Sequence, residues 1–383
     1  MPQREISYDR LVGQWRGRFQ ADDWHGDIVI DLEHRSGKTV GSAMMFSAPG
    51  INASTIVGKI NDVFYDGKFA YAVATLRPTH PRYPLQLVEP PQFREAFGEA
   101  KIAQLAQVKF TWNLANMEII WSSDLGKHGV AQLIRDDPLR PSQIPAETMS
   151  WDAFKRIASK LKPREFIFRG QKEPWRLRSH FHRSNRSDLL RYTFDDMDTL
   201  MRHLSAYTKH VHNKSDHDQT GALLHLAQHH GFPTPLIDWS YSPYVAAFFA
   251  FRGMSIKASR VRHISPIRIF KFDQKSWRED FPQFPFTAPM RPHFSLMEFS
   301  AHENTRAVPQ QALSALTNVD DVESYIQQTE EIHKKQYITA IDIPAKERGK
   351  AMSDLAMMGI TAGSLFPGLD GACEELRERL FEI

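Results

Sequence analysis

The sequence predicts an α+β protein in two parts, an N-terminal antiparallel β-barrel or sandwich followed by a mixed α+β domain. Three observations carry this reading. Short alternating apolar and polar runs fill residues 8–135, a proline-rich break follows, and the remainder runs through helices before it returns to strands. At 383 residues the chain also exceeds the ~250 to 300 residues over which a single core keeps growing.

In the first part the runs are WRGRF (15–19), GDIVIDLEH (26–34), VGSAMMF (40–46), GKINDVFYDG (58–67), FAYAVATL (69–76), AQVKFTW (106–112), MEIIWSSDLG (117–126) and HGVAQLIR (128–135). Ser36-Gly37 and Asp66-Gly67 read as hairpin turns, because glycine tolerates the positive φ that such turns require. A helix is expected over 92–105. No cluster of chemically active side chains recurs here, so this part reads as a scaffold or a recognition module. Three prolines in DDPLRPSQIPAE (136–147) mark a linker. The expected division is a β domain at 1–137, a linker at 138–149 and a second domain at 150–383.

The second part opens with Ser150, a natural N-cap, ahead of WDAFKRIASKL (151–161). There Trp151, Phe154, Ile157, Ala158 and Leu161 share one helical face. The strand EFIFRGQ (165–171) follows. Helices are expected over 195–211, 220–229 and from Ser242 or Pro243 to Phe251, where proline suits the first helical position. Strands are expected over 267–272, 310–316 and 337–343.

Composition excludes several classes. With 42% hydrophobic and 24% charged residues the chain reads as neither disordered nor fibrous. Cys373 is the only cysteine, which rules out an intrachain disulfide, and no apolar run reaches the ~18 residues of a spanning helix. The first ten residues lack an apolar signal core, so a cytoplasmic home is expected. A net charge of +3 does not demand a polyanionic partner. Locally, Arg176, Arg178, Arg183 and Arg186 crowd a span that also holds Trp175 and Phe181, a pattern suited either to nucleic acid or to a solvated basic loop.

Chemistry concentrates in two segments. Arg169 ends an apolar strand beside Gly170, where a guanidinium can fork onto phosphate or can serve backbone carbonyls. AQHHGFPTPLIDWSYSPYVAAFFA (227–250) places Gln228, His229 and His230 at a helix end, then Thr234, Asp238 and Ser240, then a helix start at Ser242 that could greet an anion. His225 and His229 have ligand spacing. No HExxH glutamate or CxxC accompanies them, so no metal is assigned. G-x-S-x-G, P-loop and GxGxxG motifs are absent.

FRGQ (168–171), Trp175, Leu177, Arg183, the 227–250 block, Arg306 with Gln310-Gln311, and MGITAGSLFPGLDG (358–371) together resemble the FRG domain, over about residues 149–371. The N-terminal part resembles no family. FRG proteins occur mostly in bacteria and phages, often in suspected toxin or anti-phage systems. A looser likeness is to ADP-ribosyltransferases, in which a first-strand Arg grips NAD, hydroxyls of a second motif support the nicotinamide ribose, and a third-motif glutamate assists transfer.

That likeness implies NAD as a substrate. Arg169, His229, Asp238, Ser240 and Gln311 would be the catalytic set. Arg169, Gly170, Gln171, Thr234, Ser242, Arg306 and Gln310 would contact NAD, with a nucleic acid or protein as acceptor. The departure is at the third motif, where Gln310-Gln311 stand in place of a glutamate. Two other classes compete: a non-catalytic nucleic-acid- or nucleotide-binding module using Arg176, Arg178, Arg183 and Arg186, and a nuclease using His229 and Asp238.

Overall fold

The structure, a computed structural model, describes residues 10–22, 24–48, 54–135, 137, 140–259, 261 and 264–381. Eight antiparallel strands, β1 (Gly13–Ala21), β2 (His25–Arg35), β3 (Lys38–Ser47), β4 (Ile56–Tyr65), β5 (Ala70–Pro78), β6 (Leu105–Trp112), β7 (Asn116–Ser123) and β8 (His128–Ile134), close into a barrel when β8 pairs with β1. Strand alternation sends Trp15, Phe19, Ile28, Ile30, Phe110 and Ile119 into the barrel. Ser36 and Gly37 both take positive φ, 51° and 78°, in the two-residue turn that sets Arg35 opposite Lys38. The helix expected over 92–105 shrinks to Phe93–Phe97, because Gly98 turns to φ 65° and ends it.

The second part is a seven-stranded sheet in the order β13-β14-β11-β10-β12-β15-β9. Its strands are β9 (Ala146–Thr148), β10 (Phe166–Gln171), β11 (Leu236–Ser240), β12 (Ile267–Asp273), β13 (Phe294–Met297), β14 (Ala312–Thr317) and β15 (Ile338–Ile343). β9 corrects the linker reading of 138–149. Residues 146–148 pair in parallel with β15, and Ile144 is buried in the core, so the proline-rich break ends inside the sheet.

The helices used below are α1 (Trp151–Ala158), α2 (Met197–Leu204), α3 (His217–His229), α4 (Pro243–Arg252), α5 (Val322–His333) and α6 (Arg348–Met357). Ser150 caps α1 by accepting from Ala153 N at 3.3 Å; Trp151, Phe154 and Ala158 are buried as expected, whereas Ile157 is 37% exposed. The helix predicted over 195–211 stops at Leu204, whose carbonyl takes both Tyr207 N and Thr208 N in a tight turn.

Period-two alternation divides the sheet's apolar residues between two layers. Ile267, Ile269, Ile341 and Ile343 pack with Trp151, Phe248 and Leu355 of α1, α4 and α6, while Phe270, Phe272, Ile338 and Ala340 pack with Trp277 and with Val322 and Ile326 of α5. A polar seam docks the barrel. Glu33 on β2, fully buried, accepts from Arg186 Nε at 2.9 Å and from Ser187 N and Asp188 N at 3.1 Å, and Ser42 Oγ donates to Asp188 Oδ1 at 2.8 Å. Among the described residues no helix is long and apolar enough to cross a membrane. Cys373 is exposed and free.

Candidate functional site

The site begins where two strands part. β10 and β11 pair only at Phe168 and Ser240, and beyond that point their ladder stops. A carbonyl left without its ladder partner needs another donor, and Arg169 Nη1 supplies it to Asp238 O at 2.7 Å. The backbone-carbonyl role considered for Arg169 is thus what its guanidinium does here, and the residue also lines a cavity of about 450 Å³. Burial, reinforced by nearby Arg183 and opposed by Asp238, pushes it down to about 10, so it stays charged at neutral pH.

Gly170 has a local reason to lack a side chain. A Cβ there would lie 1.8 Å from the Ala246 carbonyl oxygen, so the close approach is that of α4. Across the cavity, α3 presents His225, Gln228 and His229. The spacing i, i+3, i+4 places them on one face. The two imidazole rings lie 4.6 Å apart, tilted 52°. His229 Nδ1 is 2.7 Å from Asn304 Oδ1, which assigns the proton to Nδ1 and leaves Nε2 free. Burial, then the neighbouring His229, holds His225 down to about 4 against the pull of Asp238; burial likewise lowers His229. Both rings are neutral at pH 7.

Asp238 projects from β11 on the face opposite Ile237 and Trp239, and Gln228 Nε2 donates to its Oδ1 at 2.5 Å. Thr234, fully buried, donates its hydroxyl to Gln228 Oε1. It therefore orients Gln228 from behind and does not reach the cavity. Cations converge from three directions: Arg169, an exposed Arg183 with no partner among the described residues, and Arg306, which lies 5.2 Å over the Phe366 ring and donates to His229 O at 3.2 Å. Trp175 and Phe249 add aromatic walls.

Several expected contacts are committed elsewhere. Ser240 Oγ donates to Gln310 O at 2.7 Å and accepts from Ser242 N at 3.0 Å, and Ser242 Oγ caps α4 through Val245 N at 3.3 Å. Ser240 still lines the cavity; Ser242 does not. Gln310 lines it while Nε2 holds Leu365 O at 3.0 Å, and Gln171 lines it while Nε2 reaches Trp175 O at 3.3 Å. β14 starts at Ala312, later than predicted, because Gln311 takes φ 48°. That turn leaves Gln311 exposed and outside the cavity.

The basic cluster is mostly spent on intrachain pairing. Arg176 grips Asp321 with Nε and Nη2, each at 2.8 Å, Arg178 pairs with Asp320 at 2.6 Å, and Arg186 pairs with Glu33 and Asp196 at 2.9 and 2.8 Å. Of the four expected nucleic-acid contacts, Arg183 alone reaches the cavity. His225, noted for its ligand spacing with His229, and Gln228, noted at the helix end, both line the cavity, although neither was assigned a role in the NAD reading. Phe366 comes from the 358–371 segment noted in the resemblance, whereas Asn304 arrives from a remote segment without a local signal.

Comparison with known proteins agrees with the FRG resemblance over a shorter span. A comparison with curated proteins finds no match. Solved structures similar to this chain include a redesigned β-barrel, 14% identical, covering 33% of this chain and 93% of that chain with a TM-score of 0.24. A second redesigned barrel, mFAP1 bound to DFHBI, is 16% identical and covers 33% of this chain and 95% of its own, with a TM-score of 0.23. No family model matches the barrel. The FRG domain model matches residues 164–258, the span that holds Arg169, α3, β11 and α4, and the chain thus carries an FRG domain.

Proposed function

We propose that the cleft between β10 and β11 binds NAD and that the FRG domain cleaves it in the manner of an ADP-ribosyltransferase. The observation that supports this most is the convergence of Arg169, Arg183 and Arg306 on one cavity with the Asp238 carboxylate and the aromatic rings of Trp175, Phe249 and Phe366. Guanidiniums suit a pyrophosphate, aromatic faces suit bases, and a carboxylate suits a cationic transition state. The cavity's size lies within the ~300 to 1,000 Å³ of small-molecule sites. The strands carrying the three expected motifs, β10, β11 and β14, are also neighbours in the sheet.

The reaction follows from these groups. The bond between ribose C1′ and the nicotinamide nitrogen breaks, and its electron pair neutralises the pyridinium. Asp238 stabilises the oxocarbenium ion that forms, in the role the missing third-motif glutamate would fill. An incoming nucleophile bonds to C1′ and yields its proton to the free Nε2 of neutral His229. Ser240 acts indirectly, holding the Gln310 carbonyl and the start of α4.

The test incubates purified protein with labelled NAD and with cell extract, RNA or DNA, and follows nicotinamide release and label transfer. Arg183→Gln, at an exposed side chain with no hydrogen bond or ion pair among the described residues, is expected to lower turnover at least ~10-fold with an unchanged melting temperature; Arg169→Ala is expected to abolish turnover and to cost stability as well. Wild-type turnover in both folded variants would refute the reading.

A further inference from the structure

We propose that His225, His229 and Asp238 form a binding site for a divalent transition-metal ion, with zinc as the best-fitting class. Their ligand atoms all lie within 4.8 Å of one another. The two histidines are one turn apart on α3, and the carboxylate comes from β11, so the three converge from two rigid elements. A tetrahedral ion ~2 Å from each ligand would draw them to ~3.4 Å apart. Side-chain rotation can supply that closure.

The surroundings suit an ion more closely than the triad alone would. His225 has no hydrogen-bond partner among the described residues, although it is 95% buried by its 5% exposure. Asn304 Oδ1, 2.7 Å from His229 Nδ1, fixes the tautomer whose Nε2 can bind metal, the usual arrangement behind a ligating imidazole. Gln228 holds one oxygen of Asp238 and leaves the other available. Two imidazoles and one carboxylate facing a cavity keep a coordination position open. The guanidiniums around it oppose a bare dication and favour an anion in that open position.

An ion here takes the carboxylate and ring nitrogen assigned above to NAD cleavage, so the loaded cleft is a distinct state from the NAD-using one. Its binding is measured without nucleotide, which separates this proposal from that reading. Chelator-treated full-length protein is titrated with cobalt(II), and then with zinc to displace it. One ion per chain is expected, with visible d–d absorption, and His229→Ala and Asp238→Asn should each weaken binding at least ~10-fold. Asn304→Ala should weaken it less. His302→Ala alters a separate pair of rings, His210 and His302, stacked 4.1 Å apart, and should leave the stoichiometry unchanged. Circular dichroism melts of the metal-free variants establish folding, and the near-isosteric Asp238→Asn keeps the test valid if a histidine variant unfolds. Absence of stoichiometric binding, binding retained in folded Asp238→Asn, or loss only in His302→Ala would overturn the assignment.

Discussion

Gly170 shows how far one atom can reach. With the Ala246 carbonyl 1.8 Å from the position of a Cβ, Gly170→Ala must push α4 away from β10. Overpacking of this kind costs ~1 to 3 kcal/mol, which corresponds to a fall in Tm of several degrees. Thermal denaturation checks it, and an unchanged Tm would mean that the helix yields freely. Gly170 was read as an NAD contact, and the helix that excludes its Cβ was not legible, because α4 lies 76 residues away along the chain at Ala246. Arg176, Arg178 and Arg186 illustrate the converse. Their density suggested a free cationic surface, and only the fold reveals Asp321, Asp320 and Glu33 as their counter-charges.

At the scale of elements, β2 docks the barrel on the second part around the buried carboxylate of Glu33, with Arg35–Asp196 and Asp27–Arg291 pairs beside it. Removing the carboxylate in Glu33→Ala leaves Arg186 Nε, Ser187 N and Asp188 N without that acceptor. Breaking such a buried network is expected to cost on the order of 3 kcal/mol and to resolve one urea transition into two, barrel and sheet. A single transition at the wild-type midpoint would contradict this. The strands themselves were readable wherever one face is buried, since alternation and glycine turns act locally. β9 was not: three residues following prolines carry no alternation, and the strand exists because β15 offers a free edge. β14 was misplaced by two residues at its start because a positive φ at Gln311 is not encoded by residue type. The site was half legible for the same reason. Arg169, His229 and Asp238 sit in segments of strong local pattern, whereas Asn304 meets His229 only through the tertiary fold.

For the whole molecule, buried titratable groups pull stability in opposite directions as the pH falls. His293 is held down to about 4 by burial, against its Nε2 contact of 2.7 Å with the Phe286 carbonyl, and His182 is held down to about 4, chiefly by burial. Their folded values lie below the ordinary ~6.5 of the unfolded chain. Stability from the neutral rings is therefore complete above that pH and is lost as the pH falls from 6.5 towards 4, at ~2 to 3 kcal/mol each. Asp188, raised to about 6 chiefly by burial, works the other way. Its folded value exceeds the unfolded one, so the protonated carboxyl contributes stability at low pH that is lost as the pH rises through 6. It thus returns ~2 kcal/mol over the same acid window. Asp31, raised by burial and by Asp188, adds to that compensation at the seam between the two parts. Asp188→Asn preserves an acceptor for Ser42 Oγ and Arg191 N but cannot titrate. Its urea midpoint should consequently fall more steeply than that of the wild type between pH 6.5 and 4, and parallel profiles for the two proteins would show that the seam carboxyl does not offset the histidines.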